Sequence, residues 1–585
     1  MEIKKREKQA KRNRKPVYVL GIHNSGPISS AALVKDGRLV AAAPEERFSR
    51  IKHDRSFPHR AIRFCLEAGG IGLDGVDRIG IGWNPGENVS LKYRAGFSDW
   101  MRYPGEWLSS VPNHLLPLLG RKIEGTTSEF RGREEGPFRI SYVDHHTCHA
   151  RLAYEISGFD ECAILVADGW SEQKVTTWIY AQKGRFETVR AKDFPQSIGG
   201  FYAAITDFLG YRIFSDEWKV MGMAAYGNPR NIPGMSKLIR MLPDGDYELD
   251  LSYFDFYNFD RPGYFSGKME LLLGPARKPG EELTRRHFDI AAAAQALYAK
   301  VMNWMISHLR KKTGCSDLAF SGGVAMNCLH NGSITEQTGF ERCSVSFAPD
   351  DSGNSIGAAF SVCTDLGIKV SARENTSSLG IAFTDDQIGE ALEKYKLRYR
   401  VSKNVARETA RLLAAGKVVG WFQGRAEFGQ RALGHRSILA SPRTKDMKDR
   451  LNAAIKYREA YRPFAPVLKL EDVAKFFHRT ETDAPVRYME KALRFRKGTG
   501  RLVPAVVHKD GTGRLQTVAR KEESLLHGLL TEFTSLTGCE VLVNTSFNLN
   551  GEPVVNTPED ALRTFVTSGM DALAMGSCIL EKGEG

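Results

Sequence analysis

Arg139-Ile140-Ser141-Tyr142-Val143-Asp144-His145-His146-Thr147-Cys148-His149-Ala150 is the stretch that decides the fold class. Arg139–Val143 is a short apolar run suited to a buried strand, and a helix is expected to begin near His145. Cys162–Ala167 follows as a second buried strand, so strand, helix and strand alternate here. Working outward, the alternation recurs. Val17–Ile22 reads as a strand, and Ala31–Val34 with Leu39–Ala42 as a hairpin about Lys35-Asp36-Gly37-Arg38. Pro58–Ala68 is an amphipathic helix opened by proline, and Arg78–Gly82 a strand. Ile198–Leu209 and Phe288–Lys311 read as helices, Leu318–Phe320 as a strand, and Asn354–Cys363 as a small-residue helix. A second series follows: helix Val405–Ala415, strand Val418–Phe422, helix Met447–Ile455, strand Val541–Val543 and helix Pro558–Ser568. The fold class is α/β. The polar stretch 369–380 reads as a linker, which puts a division into two domains near residue 375. No internal repeat is visible.

Composition narrows the function classes. Charged residues make up 26% and hydrophobic ones 42% of the 585, an ordinary globular mixture. The most apolar helix, around Ile290–Leu309, is interrupted by Gln295, Lys300, Asn303 and His308, so no membrane span is expected. The run Val17–Ile22 is too short for a secretory segment, and a cytoplasmic location is expected. Nine cysteines, an odd number without a CxxC pair, suggest neither a disulfide framework nor a thiolate zinc site. The net charge is +13, but residues 1–15 hold eight Lys/Arg against two Glu and supply +6 of it. Residues 1–16 read as a solvated, disordered basic tail, and nucleic acid is not an expected partner.

Three constellations could carry chemistry. His145 and His149 are four apart, so on a helix both project from one face at a spacing suited to a divalent metal. Surface or capping histidines give the same spacing. Asp168, at the end of the run Ile164–Ala167, and Asp351, in Pro349-Asp350-Asp351-Ser352-Gly353-Asn354, are carboxylates that could join them; a turn aspartate and a helix-start carboxylate are the alternatives. The glycine turns Ser321-Gly322-Gly323-Val324 and Ser352-Gly353 either let backbone approach a phosphate or serve packing alone. Finally, a cationic series runs through Arg425–Ser437, Lys456-Tyr457-Arg458-Glu459-Ala460-Tyr461-Arg462-Pro463-Phe464, His508–Arg514 and Asn544-Thr545-Ser546-Phe547-Asn548. Guanidinium forks and amide or hydroxyl donors among aromatics suit a triphosphate and a planar base.

These motifs, with Glu45-Glu46-Arg47-Phe48-Ser49-Arg50, Ser321–Asn327, Gly420–Leu439, Arg462–Val467, Asp510–Val518 and Asn544–Val554, resemble the NodU/CmcH-type O-carbamoyltransferases of antibiotic, toxin and nodulation-factor biosynthesis. The resemblance runs from about Val17 to Leu580. It implies an N-terminal domain (17–375) similar to the threonylcarbamoyl-transferase domain of the actin-like ATPase superfold, and a YrdC-like α/β domain (376–585). It implies that the C-terminal domain hydrolyses carbamoyl phosphate to carbamate and couples it with ATP, giving carbamoyl adenylate and pyrophosphate. The N-terminal domain then passes the carbamoyl group to a hydroxyl of a small metabolite, a natural product or a sugar.

By matched motif the family's metal, typically Fe²⁺, is implied at His145, His149, Asp168 and Asp351, with Mg²⁺ accompanying ATP. Arg431, Lys456, Arg462 and Arg514, with Ser546, match positions around the nucleotide and carbamoyl phosphate. Arg458, Asn544 and Thr545 fall in the same motifs. Lys52 and Asn327 match positions lining the N-terminal adenylate site, and Gly322 and Gly323 form the glycine turn beside it.

Four departures stand out. Pro27-Ile28 replaces the His-Asp pair usual after the first strand, whose histidine resembles the base for the acceptor hydroxyl. Either His23, four residues earlier, substitutes by another route, or the acceptor differs; a related carbamoyl or threonylcarbamoyl transferase, or a hydrolase, is the alternative reading. Trp218 replaces a glycine, Gln430 a proline and Asp350 a glycine. Residues 84–136 and 228–285 are expected to shape acceptor specificity. The expected partners are ATP, carbamoyl phosphate and a small hydroxylated acceptor, with no membrane; an oligomer is compatible with the sequence.

Overall fold

Strands Tyr18–His23 and Ser30–Lys35 are buried along nearly their whole length. Such continuous burial needs a sheet covered on both faces. The computed structural model, which describes residues 15–84, 127–131, 139–258, 263–372, 377–456, 458–459, 461–462, 464–478 and 485–583, supplies it. The first sheet runs, in spatial order, Arg38–Pro44, Ser30–Lys35, Tyr18–His23, Arg78–Ile81, Arg139–Val143 and Thr127–Arg131. Its first three strands form an antiparallel meander, and Arg78–Ile81 and Arg139–Val143 add in parallel beside Tyr18–His23. A second sheet repeats the plan. Glu161–Ala167, Lys174–Gln182 and Arg185–Asp193 form the meander, and Asp317–Ser321 and Arg342–Val345 add in parallel beside the first of them.

The two sheets exchange helices. Helix His145–Ser157, which leaves the first sheet, packs on Glu161–Ala167 and Asp317–Ser321 of the second. Helix Asn354–Asp365, which leaves the second, packs on Tyr18–His23, Ser30–Lys35 and Arg78–Ile81 of the first. The helices also lie against each other, and glycine sets the approach. A Cβ on Gly357 would stand 2.1 Å from the Cys148 carbonyl oxygen, and one on Gly21 1.8 Å from that of Ser355. This exchange brings the start of one helix, at His145, to the start of the other, at Asn354.

The C-terminal part is an eight-stranded mixed sheet with a separate core that includes the fully buried Trp421 and Phe422. The order is Arg400–Val401, Cys578–Glu581, Ala572–Met575, Val419–Phe422, Arg436–Ala440, Val541–Ser546, Ala465–Lys469 and Gln516–Val518. The whole is a mixed α/β fold.

Several expectations change in detail. The expected linker is not loose where it is described: Leu379 is buried, its carbonyl accepts the Ala42 N–H, and Gly380 N–H donates to Ala426, so this stretch is sewn to both parts. The helix expected over Met447–Ile455 ends at Leu451 and widens into a π turn over Asn452–Lys456. The strand expected over Val541–Val543 runs on to Ser546. The basic tail up to residue 14 and most of 84–136 lie outside the described residues, although Thr127–Arg131 is an edge strand. All nine cysteines are free and buried. Among the described residues, no helix is long and apolar enough to cross a membrane.

Candidate active site

Asp144 caps the helix that carries the two histidines. Its carboxylate accepts the Thr147 N–H at 2.8 Å and pairs with Lys174 Nζ at 2.9 Å, fixing the first turn. One turn separates His145 from His149, and their Nε2 atoms lie 3.2 Å apart. Asp168 follows the Glu161–Ala167 strand at its carboxyl end. Gly169 N–H occupies its Oδ1 at 2.7 Å, while Oδ2 stands 2.9 Å from His149 Nε2 and 3.4 Å from His145 Nε2. Asp351, just ahead of the exchanged helix, places Oδ1 3.4 and 3.5 Å from the same nitrogens. One donor atom from each of the four residues falls within a 4.8 Å cluster.

The charges compensate. Burial alone would push the imidazoles down, but Asp351 and Asp168 hold both His145 and His149 above the usual histidine range. Burial and Asp351 would raise Asp168, yet the two histidines bring it down to about 2. Two imidazole nitrogens and two carboxylate oxygens converging in a buried pocket form a donor set that fits a divalent transition metal.

The other end is opposite in character. The π turn carries Lys456 inward, where Nζ donates to Ser546 O at 2.6 Å, Asn548 O at 2.8 Å and Asn548 Oδ1 at 3.0 Å. Burial, then Arg458, Arg462 and Lys52, push Lys456 well below the usual lysine range. Burial and the neighbouring Arg514 lower Arg431 to about 9, and burial with Arg462 lowers Arg458 to about 9. Arg462 falls to about 10, chiefly through burial, and its guanidinium stacks 3.6 Å from the centre of the Trp218 ring. Buried cations that depress one another form a pocket for a polyanion.

One cavity of about 630 Å³ joins the two ends. Asp168 and Asp351 line it on one side, with His145 and His149 behind them. Lys52, Gly323, Asn327, Arg431, Lys456, Arg458, Arg462, Arg514, Asn544, Thr545 and Ser546 line it as well. Besides the two histidines behind the carboxylates, Gly322 and His23, also singled out from the sequence, do not. Gly322 turns at φ 91° with its Cα against Ala167, where a Cβ would stand 2.0 Å from the carbonyl oxygen, so its role is close packing. His23 is wholly buried against Asp351 and outside the cavity lining. None of residues 228–285 lines the cavity among those described, against the expectation for that segment. All of the departures do: Pro27, Ile28, Trp218, Asp350 and Gln430. Two of them meet, Gln430 Nε2 donating to Asp350 Oδ2 at 2.6 Å across the two parts of the chain.

Sequence reasoning passed over Asn354, whose Nδ2 lies 3.2 Å from His149 Nε2 and 3.3 Å from His145 Nε2. It had signalled only a helix start. It also passed over Glu172, which accepts the His145 N–H at 3.0 Å and the Asn84 N–H at 2.6 Å. The aromatic wall formed by Trp170, Tyr202, Phe214 and Tyr461 comes from scattered positions that carry no common pattern.

Comparison with known proteins places these motifs. A family model for the carbamoyltransferase N-terminus matches residues 19–360, and one for the carbamoyltransferase C-terminus matches residues 410–582. Nodulation protein NolNO of Sinorhizobium fredii is 34% identical over 565 residues, 94% of this chain and 78% of that protein. The 3'-hydroxymethylcephem-O-carbamoyltransferase of Streptomyces clavuligerus is 37% identical over 480 residues, 78% of this chain and 84% of that enzyme. An uncharacterized protein of Synechocystis sp. is 35% identical over 604 residues, covering 97% of each chain.

Proposed function

The chain belongs to the carbamoyltransferase family and is a transferase, and from that premise we propose that it moves a carbamoyl group from carbamoyl phosphate to a hydroxyl of a small metabolite, with ATP, through carbamoyl adenylate. The observation that carries the reading is the single cavity with a crowd of buried cations at one end and two carboxylates of the His–Asp cluster at the other. In the first step carbamoyl phosphate is hydrolysed to carbamate and phosphate. A carbamate oxygen then bonds to the α-phosphorus of ATP, the bond to the β-phosphate bridging oxygen breaks, and pyrophosphate leaves. Arg431, Lys456, Arg458, Arg462 and Arg514 hold the phosphates and balance the charge that develops on the leaving pyrophosphate. Lys456 is presented by the Ser546–Asn548 turn that grips its ammonium group.

In the second step the acceptor oxygen bonds to the carbamoyl carbon, AMP leaves, and the hydroxyl proton is released. Asn327 is locked by a reciprocal amide pair with Gln295, at 2.9 and 3.1 Å, and can orient the adenylate from a fixed position. Lys52 faces the same space from the first sheet's connection. His145, His149, Asp168 and Asp351 would hold a divalent metal, Fe²⁺ by resemblance, which when bound supplies a Lewis acid beside the adenylate phosphate.

This reading divides the chain at residues 375 and 376 into a transfer domain and an adenylating domain. The repeated strand order of the two N-terminal sheets supports an actin-like ATPase superfold for the first, and the cation pocket on a mixed sheet supports a YrdC-like second. A different acceptor, or hydrolysis, is the second reading. It is favoured by Pro27 and Ile28, which line the cavity without offering it a titratable side chain. Incubation with ATP, Mg²⁺ and carbamoyl phosphate tests the proposal: pyrophosphate should appear, and a carbamoylated product should form only when a suitable alcohol is added. Absence of carbamoyl phosphate-dependent pyrophosphate release would refute it. Product formation at the same rate without an alcohol would favour hydrolysis.

A further inference from the structure

His23 ends the first strand, paired with Ser30 in the sheet, and its ring is wholly buried. No side chain among the described residues lies within hydrogen-bond distance of either ring nitrogen, and besides the Gly82 backbone the ring's polar neighbour is Asp351. Buried polar atoms that lack close partners are costly and rare, so such a ring calls for an explanation. Its Nε2 lies 3.8 Å from Asp351 Oδ2. The other oxygen of that carboxylate, Oδ1, is the one that faces His145 and His149. Gly26 closes the space around the pair: a Cβ there would stand 1.9 Å from Asp351 Oδ2 and 3.0 Å from His23 Nε2. The carboxylate therefore sits between the metal cluster on one oxygen and His23 on the other, with backbone pressed over the junction. His23 is also outside the cavity lining, where an acceptor hydroxyl would have to arrive.

We propose that His23 is a positioning residue for the metal centre: it presents Nε2–H to Asp351 Oδ2 across 3.8 Å, a polar contact longer than a hydrogen bond, and so keeps Oδ1 turned toward the cluster. This replaces the role of base suggested by its nearness to Pro27-Ile28 in sequence. Partners that orient a ligating carboxylate in this way typically change metal affinity by ~10–100-fold. The inference rests on the proposed metal site, and the test separates the two.

Protein stripped with a chelator is titrated anaerobically with Fe²⁺, and with Zn²⁺ in parallel, as wild type, His23→Ala and His23→Gln. The wild type should bind one ion. His23→Ala should bind ~10–100-fold more weakly, and His23→Gln, whose amide keeps an N–H donor, should recover most of the loss. Gly26→Ala, which pushes a methyl group into the junction, should weaken binding as His23→Ala does, and it keeps the test available if His23→Ala fails to fold. Pyrophosphate release should stay at the wild-type rate in all three variants. A wild type that binds no ion would overturn the metal site itself. Unchanged metal affinity in His23→Ala or Gly26→Ala would overturn the positioning role alone. Equal losses in His23→Ala and His23→Gln would overturn the donor assignment.

Discussion

The two ends of the cavity are both buried and both charged, yet they are stabilised in opposite ways. At the His–Asp end opposite charges face one another, so burial is overruled, the carboxylates stay ionised and the imidazoles are held high. At the cationic end like charges crowd together, so burial and repulsion act in the same direction and Arg431, Lys456 and Arg458 are pushed down. The first end is nearly complete within the protein and requires only a cation among its oxygens and nitrogens. The second is incomplete without a polyanion. A protein with both along one cavity is suited to two linked steps, one that gathers phosphates and one that delivers a group beside a metal.

Breaking the cationic end should give the largest effect. Lys456→Ala combined with Arg462→Ala removes two charge-assisted contacts of about 1.5–3 kcal/mol each, so pyrophosphate release should fall roughly 10²–10⁴-fold. Metal content, measured on the same preparation by elemental analysis, should not change. The next largest effect belongs to the other end. His149→Ala removes a ligand nitrogen and leaves two carboxylates facing one imidazole. Metal affinity should fall by at least ~100-fold, beyond what outer partners contribute, with pyrophosphate release preserved.

The contrast was partly legible in the sequence. The i, i+4 spacing of His145 and His149 located half of the cluster, because helical geometry alone brings those two residues to one face. The convergence of Asp168 and Asp351 was not legible from spacing. It depends on the exchange of helices between two sheets, a long-range arrangement set by close contacts at Gly21 and Gly357. The cationic residues were recognisable as a series, since arginines among glycines and aromatics seldom form a mere solvated face. What the series could not convey is that Trp218, from a distant helix, stacks on Arg462. The strand–helix alternation gave the α/β class directly, whereas the short strands Arg400–Val401 and Gln516–Val518 have too few residues to show a period.

Glu217 sharpens the comparison because it belongs to neither end. It lines the same cavity but has no ion pair among the described residues, so burial raises it to about 6. A carboxyl whose folded pKa is raised contributes stability that is fully present below its unfolded pKa and lost as pH rises through the folded value. Glu217→Gln should therefore stabilise the protein by up to about 2 kcal/mol at pH 7, and by almost nothing below pH ~4.5. Denaturant titrations at the two pH values check this; equal effects at both would mean that the charge of Glu217 is not what destabilises the site.

The smallest expected effect lies at the stack between the two parts of the chain. Trp218→Leu keeps an apolar side chain but removes a cation–π contact of ~0.5–2 kcal/mol. KM for carbamoyl phosphate should rise ~2–30-fold with little change in metal affinity. An unchanged KM would mean that Arg462 keeps its position without Trp218.

The division of labour between the two ends is the central claim, and separating the half-reactions tests it most directly. Protein stripped of metal by a chelator and resupplied only with Mg²⁺ should release pyrophosphate from ATP and carbamoyl phosphate at the untreated rate. It should form no carbamoylated product until Fe²⁺ or another divalent transition metal is restored. Loss of both half-reactions in equal measure, or full transfer by the stripped protein, would contradict the account.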